Sequence, residues 1–140
     1  MVEELKTDYV DHICIAVTDI VQAEEDYLNN FGWKPAGRYS DAKENIKVVY
    51  YKVGLTAIEL VQDIDGTGET ARFIKRSGEG IMLLSYHVEN CAGALDLLKN
   101  NGVKTIDTTP RFAKELNRNF GFIYPNANHG VLTEVIDGKY

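Results

Sequence analysis

Two glutamates stand where carboxylates are costly. Glu59 lies inside Ala57-Ile58-Glu59-Leu60-Val61, and Glu134 inside Leu132-Thr133-Glu134-Val135-Ile136. Both segments read as buried strands. A buried carboxylate needs a hydrogen-bonding partner or a cation. A third polar group opens a similar run, His12-Ile13-Cys14-Ile15-Ala16-Val17. Cys14 shares the face of His12, because side chains two residues apart on a strand point the same way.

These residues fall on a weak internal repeat. His12-Ile-Cys-Ile-Ala-Val-Thr-Asp-Ile-Val-Gln-Ala aligns with Leu83-Leu-Ser-Tyr-His-Val-Glu-Asn-Cys-Ala-Gly-Ala, 71 residues further on. Val17 meets Val88, Asp19 meets Asn90, and Ala23 meets Ala94. Glu59 and Glu134 close the two copies, so His12, Glu59, Leu83 and Glu134 hold equivalent first-strand and last-strand positions. Ser85 takes the place of Cys14.

Each copy predicts a strand followed by a helix. Asp19 caps the first helix, with Gln22 completing a capping box. Ile20, Ala23, Tyr27, Leu28 and Phe31 form its apolar stripe, and Gly32 stops it. Asn90 caps the second, with Ala94, Leu95 and Leu98 inward and Gly102 at its end. Three strands follow in each copy: 33–39, 46–53 and 56–61, then 103–107, 119–124 and 131–136. A linker, 63–80, carries a short helix over 70–76. The unit is βαβββ used twice, which is α+β rather than alternating βα.

The chain has 140 residues, 44% hydrophobic and 26% charged, with net charge −6. This suits one domain, residues 1–140, with modules at about 9–62 and 80–137. An acidic balance argues against nucleic acid and against anionic membrane surfaces. No apolar run approaches transmembrane length, and the polar N-terminus does not resemble a signal peptide. Two cysteines, Cys14 and Cys91, make no disulfide framework and predict reduced thiols in the cytoplasm.

Four segments in order resemble the vicinal oxygen chelate (glyoxalase/bleomycin resistance) superfamily, with methylmalonyl-CoA epimerase-like proteins the nearest pattern. They are Asp11–Val17, Thr56–Leu60, Phe73–Ile81 and Gly130–Glu134. The resemblance covers about residues 9–137. It implies a cup-shaped, incompletely closed mixed sheet built from the two modules, and a homodimer. It maps the family's metal ligands to His12, Glu59, Leu83 and Glu134. One imidazole and two carboxylates can hold Co²⁺, Mn²⁺, Mg²⁺ or Zn²⁺. Where the family has Gly-Ile-His-His, however, this chain reads Gly80-Ile81-Met82-Leu83. The lost nitrogen donor predicts metal that is weakly bound or absent, the three groups then bonding one another or water.

The resemblance also implies acid–base residues. The family's catalytic carboxylate aligns with Lys43, one residue from Glu44, and Glu134 is the other candidate. His12 joins them as catalytic partner. Cys14, Leu83, Ser85 and Phe122 line the expected cavity. Arg111, Lys114 and Arg118, in the connection 108–118, are placed to meet an anionic substrate or to be solvated. His87, four residues beyond Leu83, is too far along its strand to replace the missing ligand. His129 falls in a turn-rich loop.

Two functions follow. One is an epimerase, isomerase or lyase that abstracts a proton α to a carbonyl, with a small molecule such as an acyl-CoA as substrate. The other is a metal-free protein that binds an apolar or aromatic metabolite, or a cofactor-free biosynthetic enzyme using His12 and Glu134.

Overall fold

The first strand, β1 (Val10–Ala16), alternates isoleucines with His12, Cys14 and Ala16, and the second set is the buried one. This computed structural model describes residues 2–140. The chain divides into two units: His12–Met82, and the N-terminal residues up to Asp11 with Leu83–Tyr140. Each unit holds one βαβββ module, so the α+β expectation is met.

In the unit His12–Met82, β1 leads into α1 (Ile20–Phe31), β2 (Gly37–Asp41), β3 (Ile46–Val53) and β4 (Thr56–Asp63). The strand order is β2-β3-β4-β1, with β4 parallel to β1 and the other pairs antiparallel. The core is Val17, Ile20, Val49, Tyr51 and Leu60, covered by Ala23, Tyr27 and Trp33 of α1 and its exit. Asp19 caps α1 by accepting from the N–H groups of Val21 and Gln22. Gln22 does not close a capping box; its amide donates to Asp26, one turn on. Leu28 and Phe31 leave the expected stripe and are exposed. Phe31, in the last turn, stacks on Trp33 instead. The linker helix is α2 (Glu69–Ser77).

The other unit repeats the plan with β5 (Gly80–His87), α3 (Cys91–Asn100), β6 (Arg111–Ala113), β7 (Arg118–Ile123) and β8 (Leu132–Ile136), in the order β5-β8-β7-β6. Val88, Cys91, Ala94, Leu95, Leu98, Ile123 and Val135 form its core. Gly121 admits the Leu95 side chain, which would crowd any Cβ there at 3.0 Å.

Two strands shift from their expected places. β2 starts at Gly37 rather than residue 33, because Pro35 has no N–H for the ladder. Residues 103–107 form no strand. Asp107 turns its carboxylate inward, accepting from Phe122 N–H and Arg111 Nε, and only Thr105 bridges Ile123. The sixth strand lies in the connection read as a loop. Its hairpin with β7 turns through Asn117, at φ 54°, as the β2–β3 hairpin turns through Asn45, at φ 60°. Asparagine tolerates this left-handed region better than most residues.

Arg118 is therefore not a loop cation. It opens β7, fully buried, and its guanidinium donates to both carboxylate oxygens of Asp11, at 2.5 and 3.2 Å. Its Nε donates to the Asp137 carbonyl. Burial opposes the charge, but the Asp11 hydrogen bonds outweigh it and hold the guanidinium pKa above its usual value. Nearby, His87 stacks on Tyr9, with ring nitrogens 3.1 Å from the Asp8 carboxylate and 2.9 Å from the Gly138 carbonyl. These contacts tie the N-terminal segment to the strands of its unit.

Two outcomes are expected. Arg118→Met should cost about 3–5 kcal/mol in denaturant unfolding, by stranding the buried Asp11 carboxylate. Adding Asp11→Leu should recover a substantial part of that loss. The second concerns Cys91, whose thiol burial pushes from 9.0 up to about 12, with the Asp137 charge adding to the effect. Above pH 9 the unfolded thiol ionises while the folded one keeps its proton, so its contribution to stability falls from about pH 9 to 12. Unfolding curves across that range should show a smaller alkaline loss for Cys91→Ala than for the parent.

Candidate functional site

The parallel register of β1 and β4 sets Cys14 directly opposite Glu59. Both are buried, as is His12 on the same face of β1. The Cys14 thiol donates to Glu59 Oε1 at 3.4 Å. His12 Nε2 lies 3.9 Å from the same oxygen. From β2, the Tyr39 hydroxyl donates to the carboxylate, 3.3 Å from Oε1 and 3.2 Å from Oε2.

In the other unit the parallel register of β5 and β8 sets Ser85 opposite Glu134. Ser85 Oγ donates to Glu134 Oε1 at 2.8 Å, both residues buried. Across β7, Phe122 is the antiparallel partner of Glu134, as Tyr50 is of Glu59. Small donor, carboxylate and aromatic thus occupy matching register positions in both copies. Each carboxylate has the partner that its burial demands.

The structure brings together two of the expected metal ligands, His12 and Glu59, and adds Cys14. One ligand atom from each lies within 4.8 Å of the others. An imidazole, a carboxylate and a thiol so spaced are a donor set that divalent transition metals accept. The set therefore fits such an ion. Glu134 lies in the other unit, on Ser85. Leu83, in the place of a family histidine, is buried and pairs with Leu132. Glu44 sits half-buried in the β2–β3 turn, its backbone N–H donating to Asp41. Phe122 is half-buried beneath the Arg111 guanidinium, 4.9 Å from the ring centroid. Arg111 itself is bound to Asp107 at 2.8 Å, whereas Lys114 and His129 are exposed.

Tyr39 is a functional-site residue that the sequence pattern did not single out. Its signal was its place in Arg38-Tyr39-Ser40, a lone large side chain between polar ones on a strand. That alternation exposes Arg38 and Ser40 and turns Tyr39 inward with Gly37 and Asp41.

Comparison with known proteins gives the context. The profile of the glyoxalase/bleomycin resistance protein/dioxygenase superfamily matches residues 11–122. An uncharacterised Bacillus subtilis protein, YqjC, is 25% identical over 130 residues, covering 93% of this chain and 92% of its own. The ethylmalonyl-CoA/methylmalonyl-CoA epimerase of Cereibacter sphaeroides is 24% identical over 127 residues, covering 90% and 95%. The crystal structure of methylmalonyl-CoA epimerase from Mycobacterium tuberculosis superposes with a TM-score of 0.90 at 25% identity, covering 100% of this chain and 94% of that one.

Removing the donor from a buried carboxylate exposes what the donor contributes. Ser85→Ala should lower unfolding free energy by about 1.5–3 kcal/mol, the range for a hydrogen bond to a charged group. Ser85→Thr, which keeps the hydroxyl, should lose less in the same denaturant titration.

Proposed function

The chain belongs to the glyoxalase/bleomycin resistance protein/dioxygenase superfamily, and from that premise we propose that it is an enzyme of the epimerase type. Its reaction is abstraction of a proton α to a carbonyl, and its substrate class is the acyl-CoA thioester. The observation that carries this reading is the pair of buried glutamates, each held by a hydroxyl or thiol from the neighbouring parallel strand. The epimerase names among the relatives support it.

In this reading Glu134 is the base. Ser85 donates to Oε1 and so orients the carboxylate. A proton passes from the α-carbon to Glu134, and the C–H electron pair moves into the carbonyl as an enolate. Return of a proton to the opposite face inverts the centre. A positioned carboxylate of this kind contributes about 10²–10⁴-fold. His12 and Glu59 would hold a divalent cation, which when bound supplies Lewis-acid stabilisation of negative charge on oxygen. Glu44, in the β2–β3 turn, is the rival base. The same proposal takes the protein to be a cytoplasmic homodimer. Among the described residues, no helix is long and apolar enough to cross a membrane.

One observation favours a second reading, a metal-free protein that binds an apolar or aromatic metabolite. Leu83 is buried where the family resemblance expects a ligand, and Cys14 and Tyr39 already hydrogen-bond to Glu59.

Isotope exchange separates the two. Incubation with methylmalonyl-CoA or a close acyl-CoA analogue in D₂O should place deuterium at the α-carbon. Glu134→Gln should abolish the exchange, because the amide keeps the shape but accepts no proton. If Glu44→Gln removes at least 10²-fold instead, Glu44 is the base. If neither substitution changes turnover while ligand still raises the melting temperature, the binding reading replaces the catalytic one.

A further inference from the structure

We propose that Cys14 joins His12 and Glu59 as a ligand, making a nitrogen–sulfur–oxygen site for one borderline-soft divalent cation of the Zn²⁺ or Co²⁺ kind. This rests on the cation reading of His12 and Glu59 above. It adds a sulfur donor that the family resemblance does not supply.

The backbone already builds the site. His12 and Cys14 are two residues apart on β1 and share a face, and the parallel register places Glu59 beside Cys14. Bonds of about 2.0–2.3 Å at tetrahedral angles set ligand atoms about 3.3–3.8 Å apart. Cys14 Sγ lies 3.4 Å from Glu59 Oε1, and His12 Nε2 lies 3.9 Å from it. The third edge, from His12 to Cys14, is within 4.8 Å. Two edges of the donor triangle are therefore near the length a tetrahedral ion imposes, and only the third must close.

Charge points the same way. All three residues are at most 6% exposed. A thiolate and a carboxylate together cancel a divalent charge, so the loaded site carries no net buried charge. On loading, the S–H bond breaks and its proton leaves to solvent. The sulfur lone pair then binds the cation where the thiol proton had faced the carboxylate. Three protein ligands leave a fourth position for water or a substrate oxygen, the usual arrangement of catalytic zinc. Sulfur also makes up the donor number lost with the family histidine at Leu83, and shifts preference from Mg²⁺ toward softer ions.

The repeat offers an internal comparison. Ser85 occupies the equivalent of Cys14 and donates to Glu134, but a serine hydroxyl keeps its proton at neutral pH. Cys91, the other cysteine, lies in the apolar core of its unit with its thiol toward the Val135 carbonyl. Only Cys14 combines a thiol with an imidazole and a carboxylate among the described residues.

The test is titration of the metal-stripped full-length protein with Co²⁺. One equivalent should bind and produce a sulfur-to-cobalt charge-transfer band in the near ultraviolet, with the intense visible bands of tetrahedral cobalt. Cys14→Ser should remove the charge-transfer band and weaken Co²⁺ binding at least tenfold. Cys91→Ser should leave both unchanged, and a hundredfold excess of Mg²⁺ should not displace the cobalt. One equivalent bound to the unmodified protein without the band overturns the sulfur ligand. If His12→Ala then abolishes that binding, the cation reading survives without it. A band lost in Cys91→Ser and kept in Cys14→Ser also overturns the inference. No uptake of Co²⁺ at all overturns both the inference and the cation reading beneath it.

Discussion

Carboxylates inside a protein must be answered, and in this fold the answer comes from register. Each buried glutamate sits on the last strand of its module, and the first strand of that module runs parallel beside it. That pairing places residue 14 opposite 59 and residue 85 opposite 134. A slip of one residue would turn both glutamates to the other face. The donor at the facing position is a short side chain in both copies. Cysteine and serine fill that position with the same geometry and different chemistry. The rest of each module keeps the parallel pair in place. The helix fills the crossover that parallel strands require, and the middle strands build out from the glutamate strand.

Much of this was legible in the sequence because it depends on local pattern. Period-two alternation located β1 and the repeat located β5, while the aspartate and asparagine caps located α1 and α3. The repeat identified the two glutamates as equivalents. The hairpin at β6–β7 was missed although the same repeat contained it. Ala42-Lys43-Glu44 and Ala113-Lys114-Glu115 match at the same 71-residue offset, and a left-handed asparagine follows each. The second copy carries one extra residue, Leu116, before its asparagine, which hid the match. Turn geometry is set by single residues, and an insertion there disrupts alignment without disrupting the fold.

Arg118 marks a different limit. As a cation beside exposed Asn117 and Asn119, it has the composition of a solvated loop. Its burial depends on Asp11, which lies more than a hundred residues earlier and is itself only one position from the chemistry of His12. No local pattern links two residues so far apart. The same holds for Tyr39 and Glu59, which meet only because β3 lies between their strands in the pairing order. Long-range polar contacts are what a single sequence conceals best, because either partner alone looks ordinary.

The Asp11–Arg118 pair also has a consequence for the order of events during synthesis. The partners are 107 residues apart in the chain. At roughly 5–20 residues per second on a ribosome, Asp11 waits about 5–20 s for its arginine to be made. The segment His12–Met82 contains its own strands, helix and core, and needs nothing from the later chain for its internal pairings. It can organise while the first residues remain without their partners. Asp11 is then made early and secured late, and a product ending before β7 would display an unanswered aspartate ahead of an organised segment. A product lacking β7 thereby differs chemically from one that has it at a position more than a hundred residues earlier.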